Sequence, residues 1–224
     1  MDKKQHENYF KRNDVLLLIG AAMLVIGAIL VFVGKRRWLM PCCIGMVIGA
    51  VLFIIGTTVR VSEKEILAYL TRQLEGFDLS YDTLAVHERR VLRNVQPIVV
   101  ENYDYEQGDM LRRTKDGVVS SRYMKTAIFT LTDAFIVRSR TVSLISGETK
   151  NKRIEIPFDS VDEIKVIRED KKLTFNNKEF DITTDKLLIR YGNGYKFVTP
   201  LHVDIKSSEL QDKLLKVIEE RTNS

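Results

Sequence analysis

Residues 15–34 read VLLLIGAAMLVIGAILVFVG and residues 38–59 read WLMPCCIGMVIGAVLFIIGTTV, with only Lys35, Arg36 and Arg37 between them. A helix rises about 1.5 Å per residue and the hydrocarbon core of a bilayer is about 30 Å thick, so each run has the length of one crossing. The short basic turn sends the second helix straight back. The pattern therefore predicts a membrane α-helical hairpin over 15–59 that returns the rest of the chain to the side of its N-terminus. The first run exceeds the roughly 7–15 apolar residues of a cleaved signal peptide and ends in charge instead of a small-residue cleavage site.

Lys3, Lys4, Lys11 and Arg12 before the first run, and Arg60 and Lys64 after the second, outnumber the three cations of the turn. Positive flanks stay on the cytoplasmic side, so an integral membrane protein with two spans and both termini cytoplasmic is predicted. Cys42 and Cys43, the only cysteines, fall within the second run, so the rest of the chain has no disulfide framework. Gly20, Gly27 and Gly34 in the first run and Gly45, Gly49 and Gly56 in the second predict close backbone packing between the helices, with a homo-oligomer contact through Gly45 and Gly49 as the alternative. Neither run contains Asp, Glu, Lys, Arg or His, which disfavours an ion or proton path.

Four segments follow from composition: a cytosolic N-terminal segment at 1–14, the hairpin at 15–59, a helical juxtamembrane connector at 60–95 and a β domain with a C-terminal helix at 96–224. Ser62 and Glu65 form a capping box, Ile66, Leu67, Leu70 and Leu74 repeat at helical spacing, and Gly76 stands where a left-handed cap would end the helix. A second helix is expected over 83–93. From Pro97 onward β-branched and aromatic residues alternate between turn signals at Lys115-Asp116-Gly117, Ser146-Gly147-Glu148, Asn176-Asn177 and Tyr191-Gly192-Asn193-Gly194-Tyr195. Separate strands are expected at 163–168 and 172–175. At the C-terminus, Ser208 and Gln211 read as a second capping box, and Leu210, Leu214, Val217 and Ile218 form one apolar stripe. The predicted fold class is a membrane hairpin followed by an α+β domain, an antiparallel sandwich or barrel capped by the C-terminal helix.

Within residues 124–221, Phe129-Thr130-Leu131-Thr132-Asp133 followed by Phe135-Ile136-Val137, and Ile156-Pro157-Phe158 leading to Val161, Ile164 and Val166, resemble the bacterial pleckstrin-homology-like (PH-like) domains of membrane proteins. The resemblance implies a PH-like antiparallel sandwich that binds or scaffolds, often self-associates and has no shared catalytic residues.

Catalytic and metal motifs are absent from the sequence. His6, His87 and His202 are scattered, His87-Glu88 lacks the second histidine of a metalloprotease helix, and no Gly-x-Ser-x-Gly elbow or phosphate-binding glycine loop occurs. No cofactor, metal or catalytic residue is expected. The acidic stretch Glu101, Asp104, Glu106 and Asp109, interleaved with Tyr103 and Tyr105, is the alternative: with His87, it would serve a membrane-tethered enzyme. The net charge of +5 is well mixed and forms no basic stripe, so nucleic acid is not an expected partner. Cations gather instead in two expected loops, Lys150, Lys152 and Arg153 in one and Lys171 and Lys172 in the other, as candidate contacts for anionic lipid or a protein partner. The reading that results is a non-catalytic, membrane-anchored interaction module facing a protein partner or the lipid bilayer. A homo-oligomeric membrane scaffold is the structural alternative.

Overall fold

A computed structural model describes residues 3–10, 14–33, 39–58, 62–77, 79–84, 86–87, 90–92, 95–202 and 207–222. The chain divides into two compact units, Met1–Ile66 and Leu67–Ser224.

The first unit holds α1 (Lys3–Phe10), α2 (Asp14–Val33) and α3 (Leu39–Thr58). Glycine lets the last two helices approach closely. A Cβ on Gly20 would stand 2.7 Å from the Phe53 nitrogen and one on Gly49 would stand 2.9 Å from the Met23 Cβ, while one on Gly27 would collide with Met46. These pairings run in opposite directions, so α2 and α3 form an antiparallel pair. Gly45 faces open space. Gly34 and the surroundings of Gly56 lie outside the described residues, as do Lys35, Arg36, Arg37 and Trp38.

The membrane expectation is corrected here. Among the described residues no helix is long and apolar enough to cross a membrane. The two-span topology, the integral membrane localisation and the membrane part of the expected fold class are therefore not supported. What the helices do show is a large apolar surface with Leu18, Ile26, Phe32, Met40, Val47 and Ile54 exposed.

The unit boundary falls within α4 (Glu63–Leu74), which opens on the expected capping box. The Ser62 N–H donates to the Glu65 carboxylate at 2.8 Å, and the Glu65 N–H donates to Ser62 Oγ at 3.3 Å. Gly76 does not take the left-handed conformation expected of it. It instead leaves room for a guanidinium, since a Cβ there would lie 3.4 Å from Arg140 Nη1.

The second unit carries β1 (Ile98–Asp104), β2 (Leu111–Arg113), β3 (Val118–Ser120), β4 (Arg122–Thr130), β5 (Ala134–Ser143), β6 (Thr149–Pro157), β7 (Val161–Phe175), β8 (Lys178–Tyr191), β9 (Tyr195–Pro200) and α5 (Ser207–Thr222). All pairings are antiparallel: a four-stranded sheet in the order β1-β4-β5-β6, a three-stranded sheet β7-β8-β9, and the ribbon β2-β3. This is an α+β fold. The main core lies between the larger sheets and α5, where Ile128, Phe135, Val137 and Ile156 meet Ile164, Leu187, Ile189, Phe197, Leu210 and Leu214. Phe135 and Phe158 pack edge to face at 4.8 Å, and the hydroxyls of Thr126 and Thr199 pair at 2.8 Å between the sheets. A buried polar pair of this kind fixes alignment because each hydroxyl satisfies the other.

Because strand side chains alternate, β4 and β5 present a second apolar face on their other side. Ala127, Phe129, Leu131 and Ile136 there meet Phe77 and Leu84, with Tyr81 edge-on to Phe129 at 5.1 Å. Among the described residues of the stretch 83–93, where a helix is expected, none is α-helical, and this cluster gives the reason. A 3-10 turn, Tyr81–Leu84, packs here, and further on Val91 bridges Leu131 and the Thr132 N–H donates to the Arg90 carbonyl.

The strands expected at 163–168 and 172–175 are one strand. The charged residues 169–171 between them read as a break, yet this stretch and its flanks stand opposite complementary partners on β8. Arg168 faces Asp185 and pairs with it at 3.1 Å, Asp170 accepts from the Thr183 hydroxyl at 2.6 Å, and Lys172 faces Asp181. Opposed charges on neighbouring strands hold the hairpin where hydrophobicity does not. A third cluster, Tyr105, Leu111, Leu173, Phe180 and Ile182, packs the ribbon β2-β3 against that extension. Its tip, Asn176-Asn177, turns with φ of 50° and 58°, values that asparagine tolerates.

The expected apolar stripe of α5 enters the core, but Gln211 does not close a capping box. Its Oε1 accepts the Val166 N–H of β7 at 3.4 Å, which docks the helix on that strand's edge. Leu214 is fully buried. Leu214→Ala in the full chain should cost about 2–5 kcal/mol, read as a lower denaturant midpoint. An unchanged midpoint would detach α5 from the core.

Candidate functional site

The cations expected in loops stand on strands. Lys150, Lys152 and Arg153 belong to β6, the terminal strand of the four-stranded sheet, and all three are exposed. Alternation divides them between faces. Lys150 and Lys152 stand opposite Thr141 and Ser139 of β5, whereas Arg153 stands opposite Arg138.

The neighbouring arginines of β5 share that second face and are tied down. Arg138 and Arg140 lie over the Phe77 ring with their guanidinium carbons 5.9 and 5.7 Å from its centre. Arg140 also donates to Asn151 Oδ1 at 2.8 Å, to the Gln73 carbonyl at 3.1 Å and to the Gly76 carbonyl at 3.2 Å. It therefore holds the C-terminal end of α4, where carbonyls lack helical partners and a cation is favoured. At the far end of β6, Arg90 spans Asp133 at 2.9 Å and Glu155 at 2.6 Å.

Lys171 and Lys172 are corrected from loop to mid-strand positions on β7. Lys172 sits near Asp181 at 3.7 Å, with both side chains more than three-quarters exposed, which makes it a weak surface pair. Lys171 belongs to an internal network: its ammonium donates to the Tyr105 carbonyl at 3.0 Å and pairs with Glu169 at 3.2 Å. The centre of that network is Lys186, a buried lysine that the sequence reading missed. It lies 2.9 Å from Glu169 and 3.4 Å from Asp104. Its signal was the phase it shares with Phe180, Ile182 and Thr184 on β8, all buried.

The acidic stretch is likewise accounted for by cations. Glu101 pairs with Lys125 at 3.0 Å, Asp104 with Lys186, and both Glu106 and Asp109 with Arg122, the latter at 3.2 Å. Burial raises the Asp109 carboxyl above its ordinary range even with Arg122 beside it. Burial together with the charge of Asp104 pushes the Tyr105 phenol up to about 12, and that hydroxyl donates to the Val118 carbonyl at 2.5 Å. These residues staple β1, the ribbon and β4 together. His87 is exposed, and Glu88 lies outside the described residues. Among the described residues no group of three or more histidine, cysteine, aspartate or glutamate side chains is placed to hold a metal ion.

Comparison of the chain with protein-family models, curated proteins and solved structures finds no match.

The network around Lys186 gives a signed pH dependence. Burial opposes charge on Glu169, but Lys186 and Lys171 outweigh it and hold the carboxyl below its ordinary 4.5. Its contribution is present above that value and lost as pH falls through the depressed one. Burial also opposes charge on Lys186, but Glu169 and Asp104 hold it above 10.5, so its contribution is full below 10.5 and lost as pH rises further. Thermal midpoints should therefore fall on both limbs. Glu169→Gln should make the acid limb shallower, and equal steepness in variant and parent would contradict the network.

Proposed function

We propose that the β domain is a non-catalytic interaction module, built in the manner of the PH-like domains it resembles, and that it meets a protein partner along β6. Two sheets of four and three strands closed by a C-terminal helix support that reading. Of the residues that carry the resemblance, Phe129-Thr130-Leu131 ends β4, and Ile156-Pro157-Phe158 lies where β6 passes to β7. The observation that carries the proposal is the contrast in ion pairing. Arg122 and Lys125 at the acidic stretch, and Arg168, Lys171 and Lys186 in the β7–β8 hairpin, are bound to carboxylates, while Lys150, Lys152 and Arg153 are exposed with no ion pair among the described residues. An enzyme built on Glu101, Asp104, Glu106 and Asp109 is disfavoured because each of those carboxylates is already held by a cation.

Binding of polyglutamate to the full chain provides the test. At low salt the chain should bind it, the affinity should fall as ionic strength rises, and the triple reversal Lys150→Glu, Lys152→Glu, Arg153→Glu should abolish it. No binding by the parent chain would overturn the reading. Salt-sensitive, reversal-sensitive binding to phosphatidylserine vesicles without binding to polyglutamate would replace the protein partner with lipid.

A further inference from the structure

The surface on β6 is a strand edge as well as a charged row. β6 hydrogen-bonds β5 on one side only, in continuous register from Thr149 to Pro157, and from Thr149 to Ile156 no described residue pairs with the backbone of its outer side; at Pro157 the carbonyl accepts from the Ser160 hydroxyl at 2.7 Å. Two other edges carry local interruptions. β7 is bulged between Val161 and Glu163 and receives Gln211 of α5, and β1 is bridged to the end of β9 by the Asn102 side chain, which donates to the Leu201 carbonyl at 2.6 Å. β6 has no bulge, and its proline comes only at its last residue. Five consecutive residues, Thr149 to Arg153, are exposed, and Arg90 closes the row at Glu155.

Resting on the interaction reading above, we propose that β6 takes an acidic extended segment of a partner protein as an added strand. Backbone hydrogen bonds of the added strand would supply affinity, and its carboxylates would supply selection. A strand laid beside β6 sends its side chains to the same two faces, so carboxylates two residues apart meet Lys150 and Lys152 on one face, and a carboxylate of the opposite phase meets Arg153. Charge also argues against a second copy of this chain as the occupant: two β6 strands side by side would oppose like charges along the shared edge.

The test uses an acetylated, amidated peptide of alternating glutamate and valine against the full chain, followed by fluorescence anisotropy. The peptide should bind. The same peptide with every backbone nitrogen methylated keeps its charge and loses its donors, and should bind at least about tenfold more weakly. The triple reversal on β6 should weaken the parent peptide by about tenfold. Hydrogen exchange of the unsubstituted chain should show peptide-dependent protection confined to residues 149–155, which keeps the test independent of any variant's folding. Equal affinity for the methylated peptide would overturn strand addition while leaving an electrostatic interaction module in place. Binding unaffected by the reversal, or protection elsewhere, would remove the site from β6. Failure of both this peptide and polyglutamate to bind would overturn the interaction reading itself.

Discussion

The centre of the four-stranded sheet is apolar on both faces, and that constraint orders the rest of the β domain. On one face Ile128, Phe135 and Val137 require the three-stranded sheet and α5; on the other Phe129, Leu131 and Ile136 require Phe77 and Leu84. A strand buried on both sides has no room for charge along its buried length. Charge in this domain is accordingly found where a face runs out: at the far halves of β4 and β5, along the projecting β7–β8 hairpin, and on the edge strand β6.

Two of those three places resolve their charge internally. The projecting hairpin has opposed pairs on one face and Lys186 with Asp104 and Glu169 on the other, and removing one member of such a half-buried set leaves its partners without compensation. Arg140 ends in two carbonyls at the end of α4 and in the Asn151 side-chain amide of β6. β6 is different because its three cations are directed to solvent beside unpaired backbone, and lysine on an edge also discourages indiscriminate strand pairing. The same feature that protects the edge selects what can dock on it.

Local chemistry was legible in the sequence wherever a few neighbouring residues decide it. The Ser62–Glu65 capping box, the asparagine turn at 176–177 and the α5 stripe all depend on contacts within one turn or one face. What was not legible depends on partners far along the chain. The charged break between the strands expected at 163–168 and 172–175 closes once Asp181, Thr183 and Asp185 are placed opposite it, and the places that the sheet offers Leu84 and Val91 are not visible in the local pattern of 83–93. The candidate cations had their setting misread, since a run with Lys150, Lys152 and Arg153 lacks the apolar alternation of a half-buried strand. Glycine spacing pointed to a close approach of α2 and α3, whereas run length overstated what the described part of those helices supports across a bilayer.

An open edge on β6 is the claim on which the functional account stands. Residue-resolved amide hydrogen exchange of the full chain tests it most directly, because amides pointing to β5 are hydrogen-bonded and those pointing outward are not. The account predicts alternating slow and fast exchange along Thr149 to Glu155, beside uninterrupted protection along β5 from Ala134 to Val142. Uniform slow exchange along β6 would mean that its outer side is already covered, and would contradict the account.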